Sequence, residues 1–166
     1  QDSDDLWLHT HLESAARDIE LAGQEVVCHL GNVVYTGEGY AERLFDIKGR
    51  TFPAGSAEKV DDPLPLVVSG MTLQGAAIRR DVFNRLGGFD TKMRMLSDTA
   101  LFCQLALEGP FLVTADLMAE IRRLPGDQDS ITSLHRKNAL YARQMHVRIL
   151  DRMLPRPLTK EQKVLV

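Results

Sequence analysis

Apolar residues near the start of the chain recur at helical spacing. Leu8, Leu12, Ala15, Ala16 and Ile19 fall on one side of residues 6–21, with Gly23 placed to end the helix. The pattern then changes. Residues 25–35 are rich in Val and read as a strand, kinked at Gly31-Asn32. Residues 36–65 carry Gly, Pro and mixed charge with no steady period, which predicts mostly loop and one short helix near residues 40–45. Short strands are expected at 66–69 and 73–78, and a short helix at 79–86 stopped by Gly87-Gly88. Phe89 is expected to return to the core. Ser97 or Asp98 can cap a helix over 97–108 whose stripe is Leu101, Phe102, Leu105 and Ala106, and Gly109-Pro110 ends it. Strands follow at 111–115 and 117–122, then a long helix over 134–154 with Tyr141, Met145, Ile149 and Met153 on one face. Mixed strands and helices give an α/β class, with one sheet flanked by helices as the economical arrangement.

The chain has 166 residues, enough for one sizeable core, and its 44% apolar and 26% charged fractions are ordinary for a globular domain. It holds no apolar run long enough to span a membrane and no basic-then-apolar leader. Cys28 and Cys103 read as small buried hydrophobes in a reducing compartment. The net charge of −3 is unevenly spread. From residue 134 on, eight Lys/Arg face only Asp151 and Glu161, a surplus of six, so the preceding residues carry a deficit of nine. That asymmetry suits either an electrostatic role for the tail or its packing on an acidic body. Arg136, Lys137, Arg143, Arg148 and Arg152 lie on the polar sides of the last helix, where the sharper expectation is peripheral contact with an anionic membrane surface. Nucleic acid is a poor fit, because no aromatic residues interleave with the basic ones.

The first candidate chemistry is Asp2-Ser3-Asp4-Asp5. Carboxylates this close repel unless a cation neutralises them, and their hard oxygens suit Mg²⁺ or Mn²⁺. An acidic helix cap explains the same residues. A calcium loop does not, since Trp7 stands where the turn needs glycine. His9 and His11 are two apart, off a common helical face, and read as surface residues; Trp7 reads as a core anchor. A second constellation runs Gly75-Ala76-Ala77-Ile78-Arg79-Arg80-Asp81-Val82-Phe83, Leu86-Gly87-Gly88-Phe89-Asp90, then Ser97-Asp98-Thr99-Ala100-Leu101. Taken singly, these are close packing, a glycine turn and a helix start.

In this order, the motifs resemble the family-2 inverting glycosyltransferases of the GT-A fold, over roughly residues 1–133. The resemblance implies a partial GT-A sheet, with residues 1–133 as the acceptor- and metal-side part and residues 134–166 as a basic amphipathic helix and tail. It implies that Asp2 and Asp4 hold a divalent metal, Mg²⁺ or Mn²⁺, and the diphosphate of a nucleotide-sugar donor, with Asp4 in direct metal contact. It places the general base at Asp98. Arg123, in the loop after the last strand, is a candidate for the diphosphate, because a guanidinium suits phosphate oxygens. That loop carries no His, a departure from many relatives. The donor-binding strands of such enzymes lie before the Asp-x-Asp motif, so a chain opening at Gln1 is expected to be a fragment, inactive alone. The implied acceptor is a saccharide or a lipid-linked sugar, and the implied location cytoplasmic with membrane association. The alternative is a non-catalytic carbohydrate- or protein-binding remnant of the same fold. A third reading is an unrelated α/β module whose acids merely cap a helix.

Overall fold

The computed structural model describes residues 5–123 and 138–165. Asp2, Asp4, the expected loop residues 124–132 and the first part of the helix expected over 134–154, with Arg136 and Lys137, lie outside them. The architecture is mixed α/β: one mixed six-stranded sheet flanked by helices. Two long strands, β2 (Cys28–Gly37) and β6 (Phe111–Arg122), lie parallel at its centre. Short strands complete both edges. β1 (Leu6–Trp7) and β4 (Glu58–Val60) pair antiparallel with β6. β3 (Tyr40–Arg43) and β5 (Ala76–Ile78) pair antiparallel with β2.

Each face takes alternate residues of the central strands. His29 meets α1 (His11–Ala22) through Asp18, while Phe111 packs on Phe102 of α5 (Ser97–Ala106) on the other side. The shorter helices are α2 (Leu44–Ile47), α3 (Leu64–Val67) and α4 (Arg80–Arg85). The chain ends in α6 (Ala139–Met153) and α7 (Lys160–Leu165). Met145, Ile149 and Met153 of α6 join the core cluster that holds Leu101, Phe102 and Leu105 of α5. Cys28 and Cys103 are free and buried, and burial pushes the Cys103 thiol up to about 12. No helix among the described residues is long and apolar enough to cross a membrane.

Several expectations shift. The first helix starts at His11, and the residues before it enter the sheet as β1. Its buried face is His11, Ala15 and Asp18, with Leu12 exposed. Thus His11 is buried, not at the surface, while His9 is exposed. Trp7 is 43% exposed and stacks on the His11 ring at 4.8 Å, so it is no core anchor. No strand forms at 66–69: residues 66–67 end α3, which begins behind Pro63, and 68–69 turn away from it. Residues 36–65 hold more structure than a loop: the β2–β3 hairpin, α2 and β4. The two strands expected at 111–122 are one, with its register against β2 shifted on both sides of Asn32. Phe89 remains 43% exposed and meets Phe83 edge-on at 5.5 Å.

Other expectations hold. Gly87 and Gly88 both take positive φ, at 82° and 69°, so the chain turns there as only glycine does easily. The small residues before β5 pack closely. A Cβ at Gly75 would stand 2.6 Å from the Gly31 carbonyl oxygen, and one at Gly31 would strike Met118.

Candidate active site

β2 and β6 run in the same direction, so their C-terminal ends share one edge of the sheet. β1 runs antiparallel to β6, which brings its N-terminal end to that edge too. In sheets with parallel strands, ligands bind beyond the carboxyl ends. Here that edge gathers residues far apart in sequence: Asp5 before β1, Tyr35 near the end of β2, and Arg123 after β6. The Arg123 amide donates to the Thr36 carbonyl at 2.7 Å, extending the β2–β6 ladder by one residue. Its guanidinium lies over the Tyr35 ring, 5.0 Å from the centroid. Arg122 instead stays beside Glu120, at 3.7 Å.

Tyr35 reports on what surrounds it. Burial raises its phenol pKa most, the Arg123 charge lowers it, and the carboxylates of Asp98 and Asp5 raise it further. Both acids and the arginine are therefore within electrostatic reach of one hydroxyl. Asp5 is buried, and its Oδ2 accepts from the Gln74 side-chain amide at 2.8 Å. Gln74 sits in the short 3₁₀ turn of Leu73–Gly75 that leads into β5.

Asp98 lies in the first turn of α5 but does not cap it. The cap position is Leu96, and no side chain bonds there. Asp98 Oδ1 accepts from the neighbouring Thr99 amide at 2.7 Å. Burial holds the Asp98 carboxyl above the usual carboxylate range, against the lowering pull of hydrogen bonds from its own and the Thr99 backbone. Leu96 has φ 57°, the only left-handed side-chain-bearing residue among the described ones. Backbone strain of this kind costs about 1–2 kcal/mol and is often found at functional sites. It sets the angle at which Ser97 and Asp98 enter α5.

Two of these groups were not picked out by sequence: Tyr35 reads as an ordinary strand aromatic and Gln74 carries no signal, whereas Asp5 belongs to the acidic cluster, as a contributor or a cap. Asp2 and Asp4 lie outside the described residues, and among those residues no three His, Cys, Asp or Glu side chains converge to hold a metal. A groove of about 350 Å³ lies elsewhere, toward the C-terminal end of α1, lined by Asp18, Leu21, Lys59 and Leu112 among others.

No protein-family model, curated protein or solved structure matches the chain.

Proposed function

We propose that this chain is the acceptor-side part of a metal-assisted, inverting glycosyltransferase that moves a sugar from a nucleotide-diphosphate donor to an acceptor hydroxyl. The reading rests on the order of the sequence motifs. One observation supports it most: the half-buried Asp98 and the residue directly after the Asp-Ser-Asp motif, Asp5, both act on Tyr35 at the carboxyl edge of the sheet.

Asp98 is the general base. It takes the proton from the acceptor hydroxyl as that oxygen attacks the anomeric carbon from the face opposite the leaving group. A raised carboxylate pKa suits the task, because it strengthens the base. One in-line displacement inverts the anomeric centre and needs no protein nucleophile. Arg123 offers its guanidinium to the diphosphate, and Tyr35 holds that guanidinium by its ring. Asp4 and Asp2 would hold Mg²⁺ or Mn²⁺, which when bound neutralises charge on the departing diphosphate.

The test is nucleoside diphosphate release by the full-length protein with UDP-, GDP- and dTDP-sugars and Mn²⁺. Release that requires the metal and is lost in Asp4→Ala supports the reading. Metal-independent release, or none from any of the three donor classes, counts against it. Carbohydrate binding that survives with no release identifies the non-catalytic remnant instead.

A further inference from the structure

The core does not use all of the apolar surface of α6. Ala142, Met145, Ile149 and Met153 face inward. Leu140, Val147 and Leu154 lie on the opposite side and are 69%, 55% and 60% exposed. They recur every seven residues, the repeat by which one helix presents a seam to another.

Among the described residues the charges around this stripe are balanced. Arg148 and Arg152 turn to Asp90, at 2.6 and 3.0 Å, and Arg156 turns to Glu108. Among the described residues that leaves Arg143 and Asp151 as the exposed charges flanking the stripe, neither in an ion pair. Among the described residues the face thus carries one unpaired charge of each sign, while Arg136 and Lys137 lie outside them. Such a face suits a copy of itself. If two α6 helices cross antiparallel about a two-fold axis at Val147, Leu140 of each copy falls opposite Leu154 of the other. Arg143 then falls opposite Asp151, so both ends of the seam close with an ion pair. Isologous contacts of this kind are the commonest in homo-oligomers.

We propose that the outward face of α6 is a self-association surface, pairing two copies of this chain antiparallel about Val147. One pair of short helices buries less than the roughly 1,200–2,000 Å² of a standard interface, so the dimer is weak and concentration-dependent. The proposal is independent of sugar transfer.

Sedimentation velocity of the full chain across the micromolar range tests it. Wild type should pass from monomer to dimer as concentration rises. Val147→Glu sets two carboxylates against each other at the axis and should leave monomer throughout, with an unchanged melting temperature. Arg143→Asp should weaken the dimer by about tenfold or more, as like charges then meet at both ends. Combining it with Asp151→Arg should restore the dimer. Monomer at every concentration, a dimer indifferent to Val147→Glu, or a charge swap that fails to restore it would each overturn the proposal. So would a wild-type monomer that instead binds phosphatidylserine vesicles through α6.

Discussion

At the scale of single residues, two kinds of buried titratable group behave oppositely. Asp98 has a raised carboxyl pKa, so folding favours its protonated form. Such a group adds stability below its unfolded pKa and loses it as pH rises through the folded value. Burial of the Asp98 carboxylate therefore works increasingly against the fold as pH rises. Asp98→Asn is expected to raise the melting temperature at pH 7 while removing the base. A residue kept only for stability would show the reverse sign. The histidines beneath α1 show the opposite case. Burial lowers the pKa of both His11 and His29, and their mutual effect or nearby Arg17 lowers it further, although Asp18 and Asp116 pull His29 back up. His29 Nδ1 is buried with no hydrogen-bond partner among the described residues, so a proton added there would sit unpaired. A depressed histidine gives stability above its unfolded value and loses it as pH falls. The melting temperature should therefore drop as pH is lowered below about 6.5, the ordinary histidine value. Thermal melts across that range check this, and His11→Gln should flatten the slope. Arg123 is exposed, and its contact with Tyr35 is worth about 0.5–1 kcal/mol at such a site. Arg123→Ala should thus cost little stability yet raise the KM for donor in the full-length enzyme.

At the scale of elements, close backbone contacts decide the geometry of the sheet. β5 lies against β2 because Gly75 has no side chain to hold it off the Gly31 carbonyl. Gly75→Ala should destabilise by about 1–3 kcal/mol, the usual range for overpacking, measured by urea unfolding. Gly75 was legible in advance as a small residue in a run of them, though its contact was not. The helices over 97–106 and 139–153 were equally legible, because their buried stripes are aliphatic and aromatic. α1 was not. Its inward face carries His11 and Asp18, and Asp18 meets His29 at 3.0 Å. A buried polar pair is invisible to a count of apolar positions, which chose the exposed Leu12 instead. β1 is two residues long and offers no period at all. In the candidate site, Asp98 and Arg123 could be named from motif order. Tyr35 and Gln74 could not, because strand pairing, not sequence spacing, brings them to the same edge.

At the scale of the whole molecule, the uneven charge of the sequence finds a structural use. The basic C-terminal segment packs on the acidic body. Asp90, the last residue of the Leu-Gly-Gly-Phe-Asp turn, takes both Arg148 and Arg152, and Glu108 takes Arg85 and Arg156. These arginines lower the carboxyl pKa values of Asp90 and Glu108. Beneath them Met145, Ile149 and Met153 supply core that α5 would otherwise expose. Truncation before residue 138 should therefore unfold the remainder, since losing even one such buried side chain costs about 2–5 kcal/mol. Circular dichroism of the truncated chain checks it. The same packing carries Asp98 with α5, so the proposed base depends on the tail for its support. The most direct test of the transferase reading is the rate of nucleoside diphosphate release by full-length Asp98→Asn beside wild type, on whichever donor the wild type consumes. The rate should fall by about a hundred- to ten-thousand-fold, the usual worth of a positioned base, with the fold intact. Release at the wild-type rate from a folded Asp98→Asn protein would contradict the assignment of Asp98 as the base.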